Sequence, residues 1–371
     1  MTPRERMLCA MRREPVDRPP LTPDFYLMFP TRFCGLSIWD VWGPRASVPL
    51  WVVRLATFRH FGFDAWLDAG IGLPVNAEYH RREIWADDES YEVETTIETP
   101  KGCLTERVVY PKHEGSWVTK YMVDDPIADS DKLIAMYEVD NGSHADDRHF
   151  QEVRRGVGDH GVVFCDGGQP PINAWCHLRG SQNGLADVAL LGDFLRPIFE
   201  TLERRTLATT EAACRAGAEV VSGGGSYITS SLISPEWYAR YVVPTLRKQA
   251  EICHQYGVLF AVQTNGRSRA ILPLIRDAGV DVLYPLERPP LGDVCIAEAK
   301  RVIGNHVCLM GNVDPVHTLL RGTPEAVRRE VREIAAAAGA GPGGLVISTS
   351  DQTCRDTPEI NLWAYREALE P

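Results

Sequence analysis

The sequence predicts a (β/α)8 barrel, and three observations support this fold class. Eight short apolar runs recur along the 371 residues, and most end in Gly, Asn, Ser, Thr or Pro. From residue 160 onward, helical stretches separate the runs, and strands that alternate with helices form parallel sheets. The runs are apolar almost throughout, as expected for strands covered on both faces. A doubly wound open sheet is the alternative, but no GxGxxG motif follows any run.

The elements follow in order along the chain. A first helix is predicted within TPRERMLCAMRRE, with Thr2 as its N-cap and Pro3 at its first position. The eight predicted strands are 19–26, 62–69, 162–167, 219–224, 258–264, 280–286, 306–312 and 344–350.

The segment from about 80 to 125 departs from this pattern. Apolar and polar residues alternate there, and turns are expected at TPKG and KHEGS. Alternation of this kind is typical of antiparallel hairpins with one solvated face. We expect a hairpin insertion after the second strand unit, within one domain that spans 1–371.

Composition excludes several classes of function. The net charge of −11 disfavours nucleic acid, an anionic membrane surface and polyanionic substrates as main partners. No apolar signal segment and no run of about 18 apolar residues is present, so a cytoplasmic location is expected. The ten cysteines include no CxxC pair and are expected to be mostly buried apolar residues.

Polar residues follow the predicted strands, where a barrel carries its functional groups. Gln263 and Asn265 alternate at the end of the fifth strand and can point the same way; a helix N-cap is the alternative for Asn265 and for Asp351. His177 and His317 have no partners at metal spacing and are predicted to be surface or structural residues. The candidate site residues are Asp24, Tyr26, Asp166, Ser226, Thr229, Gln263, Asn265, Glu287, Asn312, Ser350 and Asp351.

Segments along nearly the whole chain resemble the uroporphyrinogen decarboxylase superfamily, a group of (β/α)8 barrels that includes corrinoid-dependent methyltransferases. The resemblance rests on IWDVW, FGFDAWL, TPKGCLTE, LRGSQNGLAD, LISPEWYARYVVPTL, residues 260–287, LMGNVDP and ISTSDQTCRDTPEIN.

The decarboxylase branch carries an arginine-rich segment after its first strand, which holds the carboxylates of a porphyrinogen. Arginine suits this task because its planar fork binds carboxylates in a bidentate manner. The corresponding stretch here, PDFYLMFPTRF, contains one arginine, Arg32. Porphyrinogen decarboxylation is therefore rejected.

The resemblance to zinc-containing methyltransferases implies an HxC pair after the fifth strand and a distant Cys near the eighth. Those positions read Gln263, Thr264 and Asn265, and the distant position falls near Ser350 or Asp351. Amides do not compete with thiolate or imidazole for zinc. We expect no zinc site.

The resemblance to zinc-free members implies methyl transfer between a separate corrinoid protein, which carries the cobalamin, and tetrahydrofolate as acceptor or donor. Amide side chains match the edge of a pterin, since both present a donor beside an acceptor. Under this hypothesis Asp351, Asn265 and Asp166 are catalytic and the other candidates bind substrate. Two alternative functions stay open: a decarboxylase or lyase acting on a small non-porphyrin acid, and a catalytically silent binding protein of the same fold. A homodimer is a further expectation.

Overall fold

A computed structural model describes residues 1–139, 145–338 and 344–370 of the chain. In chain order the strands are β1 (Leu21–Thr22), β2 (Ala65–Ala69), β3 (Glu78–Ala86), β4 (Ser90–Thr99), β5 (Gly102–Pro111), β6 (Trp117–Lys120), β7 (Gly161–Asp166), β8 (Val220–Gly224), β9 (Leu259–Gln263), β10 (Val282–Leu286), β11 (Cys308–Gly311) and β12 (Leu345–Ser348).

The helices lie between and around these strands. They are α1 (Pro3–Met11), α2 (Met28–Phe33), α3 (Ile38–Val41), α4 (Leu50–Phe61), α5 (Pro126–Tyr137), α6 (Arg148–Val157), α7 (Pro171–Arg179), α8 (Ser181–Leu191), α9 (Arg196–Arg215), α10 (Pro235–Tyr241), α11 (Val243–Gln255), α12 (Leu272–Asp277), α13 (Ile296–Ile303), α14 (Pro324–Ala338) and α15 (Glu359–Glu367).

Eight parallel strands form the central sheet in the order β1, β12, β11, β10, β9, β8, β7 and β2. Strands β1 and β2 stand at the two ends of this order, and the Asp64 N–H donates to the Leu21 carbonyl at 3.0 Å to bring them together. The (β/α)8 fold predicted from the sequence is confirmed, and each of the eight predicted strands overlaps one strand of the barrel.

Helix α1 begins where the sequence predicts. The Thr2 hydroxyl accepts from the Glu5 N–H, and the Glu5 carboxylate accepts from the Thr2 N–H at 2.8 Å. This reciprocal pair is a capping box, which satisfies two amide groups that have no partner within the helix.

The predicted hairpin insertion is a four-stranded antiparallel sheet, β3 to β6, which follows β2. Strand β3 is exposed along most of its length, whereas β4 and β5 turn alternate side chains inward. Ile97 and Leu104 of this sheet belong to the same buried cluster as the barrel core. The assignment of 1–371 to one domain stays a prediction.

No helix among the described residues has the length and apolar character needed to cross a membrane. The cytoplasmic location expected from the sequence stays a prediction.

Candidate functional site

The strands of the barrel end around a cavity of about 380 Å³. Parallel register aligns the strand ends at one level, since Asp166 pairs with Ser222 and Gly224 with Gln263. The cavity is lined by Asp24, Tyr26, Trp66, Asp68, Asp166, Gln169, His177, Ser222, Gly223, Gly224, Gly225, Ser226, Gln263, Asn265, Tyr284, Pro285, Met310, Ser348, Thr349, Asp351 and Gln352.

Seven of the eleven candidate site residues line this cavity, and they come from distant parts of the chain. The barrel unites them because each follows the carboxyl end of a strand. They are Asp24, Tyr26, Asp166, Ser226, Gln263, Asn265 and Asp351.

The other four candidates lie outside the cavity lining, which corrects their expected location. Their side chains are buried and bond to the backbone of neighbouring loops, whose polar groups need partners away from water. Thr229 Oγ1 donates to Arg267 O at 2.8 Å, Asn312 Nδ2 to Val294 O at 3.1 Å and Ser350 Oγ to Val313 O at 3.0 Å, while Glu287 accepts from the Gly266 N–H at 2.5 Å.

The amide pair at the end of β9 forms a small network. Gln263 Nε2 donates to Asn265 Oδ1 at 3.2 Å, so both side chains face the cavity together. Burial raises the pKa of Glu287, while hydrogen bonds from the Gly266 N–H and the Asn265 side chain oppose that rise.

The glycines that follow β8 allow the chain to pack closely against its neighbours. Gly225 has a φ of 148°, and a Cβ there would lie 2.1 Å from Asn173 Nδ2. A Cβ on Gly224 would lie 2.3 Å from Gln263 O. The Gly225 N–H donates to that carbonyl at 3.0 Å. Glycine is needed here to set the position of Gln263.

Carboxyl groups cluster on the side of the cavity formed by β1, β2 and β7. Asp24, Asp68 and Asp166 lie there, and Asp351 faces them from the segment after β12. Burial raises the pKa of Asp24 to about 7; the nearby Arg54 lowers it, and Asp351 and Asp68 raise it further. Burial also raises the pKa of Asp166 and of Asp351.

Arg54 of α4 lies behind this cluster and is buried. Its guanidinium bonds to the Asp68 carboxylate, and its Nε donates to the Phe25 carbonyl at 2.9 Å. The guanidinium carbon lies 5.5 Å from the ring centre of Tyr26 and 5.7 Å from that of Trp66. Arg54 is therefore fixed by contacts on several sides.

Sequence reasoning missed several residues of the cavity. Asp68 and Trp66 lie in the second predicted strand, and the rule that selected Asp24 could have selected Asp68. Arg54 lies in a helix, where no pattern distinguishes it. His177 was predicted to be surface or structural, but it lines the cavity, with its ring 4.8 Å from that of Tyr227.

The side chains of the cavity offer few metal ligands of the kind that zinc prefers. Within the described ranges, the His, Cys, Asp or Glu group with ligand atoms close enough to hold an ion is Glu78, His80 and Glu98, exposed on the antiparallel sheet. Neither Cys354 nor Cys253 lines the cavity. The amides at the end of β9 do not fit zinc. Zinc independence stays a prediction.

Residues 192–370 match the family model for uroporphyrinogen decarboxylase (URO-D). The match covers just under half of the chain. The resemblance stated from the sequence is confirmed.

The curated relatives of this chain include methyltransferases and decarboxylases. Methylated-thiol–coenzyme M methyltransferase from Methanosarcina mazei is 29% identical over 154 residues, which cover 42% of this chain and 38% of the relative. Methylcobamide:CoM methyltransferase from Methanosarcina barkeri is 27% identical over 38% of this chain and 39% of its own. Uroporphyrinogen decarboxylase from Chromohalobacter salexigens is 31% identical over 47% and 48%. The chain thus spans less than half the length of each.

A solved structure described as a methyltransferase from Methanosarcina mazei superposes with a TM-score of 0.67 and 18% identity, and covers 99% of this chain and 98% of its own. At this identity the likeness shows a shared fold across nearly the whole chain.

Proposed function

We propose that the protein transfers a methyl group between a separate corrinoid protein and a tetrahydropterin, such as tetrahydrofolate, without zinc. Two of the relatives above are methyltransferases by name, and one of these acts on a methylcobamide. The corrinoid supplies a metal centre that accepts or releases the methyl group. The observation that carries the proposal is the pairing of amides with protonatable carboxyls around one cavity.

The hydrogen-bonding groups of the cavity match a pterin ring. The ring presents adjacent N–H donors on its pyrimidine edge, and a carboxylate accepts two such donors side by side. Asp166 at the end of β7 and Asp351 after β12 both line the cavity and are candidates for that contact, and Asn265 and Gln263 can bond to the remaining donors and acceptors. Ser226, in the segment after β8, lines the same cavity.

The aspartates of the cavity disfavour binding of the anionic substrates of the decarboxylases and of the coenzyme M methyltransferases. Its lining contains four aspartates and neither lysine nor arginine, within the part of the chain that is described. A ligand anion 4 Å from an ionised aspartate is disfavoured by about 4 kcal/mol at an effective dielectric constant of 20. Uroporphyrinogen has eight carboxylates, and coenzyme M carries a sulfonate. Both are poor ligands here, whereas the pterin ring is uncharged.

The corrinoid partner would dock at the mouth of the barrel, because the methyl group must pass directly between the two bound molecules. Asp351 and Gln352 lie on the loop after β12, and Tyr26 on the segment after β1, so these loops would face the partner. A homodimer stays a prediction.

Titration calorimetry tests the proposal. Tetrahydrofolate and its 5-methyl derivative are expected to bind, whereas coenzyme M and uroporphyrinogen are not. Transfer is then measured as the spectral change of a methylated corrinoid protein mixed with the enzyme and tetrahydrofolate. Tight binding of uroporphyrinogen would restore the decarboxylase alternative. No binding of any of these ligands would favour a lyase or a silent binding protein.

A further inference from the structure

The carboxyl groups of Asp24 and Asp68 share one cavity wall but differ in their partners. Asp68 bonds to the Arg54 guanidinium, and its side chain is 46% exposed. Asp24 lines the same cavity, but its Oδ1 atom is buried and accepts no hydrogen bond from any residue the structure describes. One arginine therefore neutralises one of two neighbouring carboxyls.

The backbone holds Asp24 in position although its carboxyl group is unpaired. The Asp24 N–H donates to Thr349 Oγ1 at 2.9 Å, and its carbonyl accepts from the Thr353 N–H at 2.8 Å. Both contacts come from the segment around the end of β12. The next carbonyl, that of Phe25, accepts from Arg54 Nε at 2.9 Å.

Asp68 occupies the Arg54 guanidinium, and the buried Oδ1 of Asp24 has no hydrogen-bond donor among the described residues. A buried carboxyl oxygen without a donor favours the protonated form, which can act as a general acid. We infer that Asp24 is the residue that gives a proton to the pterin nitrogen as the methyl group leaves, and that Asp68 is a positioning residue, which binds the Arg54 guanidinium and so keeps Asp24 protonated. This inference rests on the proposed function.

The step balances as follows. The bond between N5 of the pterin and the methyl carbon breaks, and its electron pair stays on N5. The methyl carbon forms a bond to the reduced corrinoid of the partner protein, which supplies the electron pair of the new bond. The Asp24 proton moves to N5, which leaves Asp24 as a carboxylate. In the reverse direction the carboxylate takes the proton back.

Several charged or titratable groups face Asp24. They are Arg54 from α4, Asp68 from β2, Asp351 from the segment after β12, Tyr26 two residues along the chain and Tyr284 from β10. Burial raises the pKa of Asp24 to about 7. Burial also raises the pKa of both tyrosines, so both stay neutral near that pH. Arg54 lowers the pKa of Asp24, whereas Asp68 raises it. Removal of the Asp68 charge should therefore shift the pH dependence of transfer in one defined direction.

The experiment measures transfer from 5-methyltetrahydropterin to the corrinoid protein against pH, with wild-type protein, Asp24→Asn, Asp68→Asn and the exposed control Asp277→Asn. The wild-type and control rates are expected to fall as pH rises through about 7. Asp24→Asn is expected to be slower by about a hundredfold or more and to lose this dependence. Asp68→Asn frees Arg54 and removes a negative charge, and both changes favour the ionised form of Asp24. The fall in transfer rate is therefore expected at a pH lower by about half a unit or more.

Infrared difference spectra of the protein without ligand give a second readout. The carbonyl stretch of a protonated carboxyl group is expected at pH 6 in the wild type and is expected to be absent from Asp24→Asn. The inference is overturned if this band is missing, if Asp24→Asn transfers methyl groups at the wild-type rate, or if Asp68→Asn does not shift the profile downward. If the wild-type protein shows the carbonyl band but transfers no methyl group from the pterin, the proposed function is refuted, and with it this role of Asp24.

Discussion

The two ends of strand β2 carry similar charged clusters with different consequences. At its start, the buried Asp64 accepts from Arg6 Nη1 at 2.5 Å, from Arg18 Nη1 at 2.8 Å and from the Leu21 N–H at 2.9 Å. At its other end, Asp68 bonds to Arg54, while Asp24 Oδ1 has no partner among the described residues. The first cluster is saturated and holds β1 to β2. The second leaves a carboxyl oxygen of Asp24 without a hydrogen-bond partner beside the cavity.

Barrels place stabilising contacts at the amino ends of their strands and reactive groups at the carboxyl ends. The difference lies in how completely each carboxyl group is bonded, since aspartate and arginine are present at both ends. Variants that separate stability from turnover can test this contrast.

The largest effect is expected from Asp64→Ala. The change leaves the buried Arg6 and the neighbouring Arg18 without their shared partner. Breaking a buried ion pair from one side costs about 3–5 kcal/mol in the free energy of unfolding. Urea denaturation measures this loss. The methyl transfer rate per folded molecule should stay at the wild-type value, and a rate defect without loss of stability would contradict the assignment of this cluster to stability.

Substitutions at the cavity are expected to lower the transfer rate and to leave the stability unchanged. Asn265→Ala and Asp351→Asn should each lower methyl transfer by about ten- to a thousandfold, since both groups contact the reacting ring in the proposed complex. Asp351→Asn should lower turnover more than affinity. Thermal melts should match the wild type, because neither change empties a packed core. A fall in melting temperature with a proportionate loss of activity would identify both residues as loop formers.

A smaller effect is expected in the stability of Asp24→Asn as pH changes. The folded pKa of Asp24, about 7, exceeds the ordinary value of 3.8. The stability due to its protonated form is complete below pH 4 and is lost as pH rises toward 7. Because asparagine does not titrate, the variant should gain about 1–3 kcal/mol relative to wild type between pH 5 and pH 8. Denaturation at both pH values measures this, and an equal difference at each would argue against the raised pKa.

The smallest effect is expected from a chelator. The amides at the end of β9 do not fit zinc, so dialysis against a strong chelator should leave methyl transfer unchanged. Elemental analysis before and after dialysis is the measurement. About one zinc per chain, removed together with activity, would refute the zinc-free assignment. The exposed Glu78, His80 and Glu98 group can be removed by His80→Ala as a control for adventitious metal.

The sequence by itself determined the barrel, its eight strands and the antiparallel insertion, because apolar runs, alternation and turn residues are local signals. It also determined that Asp24, Asp166, Gln263, Asn265 and Asp351 would follow strand ends, and all five line the cavity. The sequence also showed that no arginine-rich segment follows the first strand.

Only the tertiary structure decided which polar residues at strand ends face the cavity. Asn312 and Ser350 follow strands as Asn265 does, but their hydrogen bonds go to buried carbonyls of neighbouring loops. The partnership of Arg54 with Asp68 joins a helix to a strand end, and no spacing in the sequence encodes it. The protonation state of Asp24 depends on burial and on charges brought from α4, β2 and the segment after β12. Such properties arise only when distant segments come together, since each depends on contacts that the local sequence does not contain.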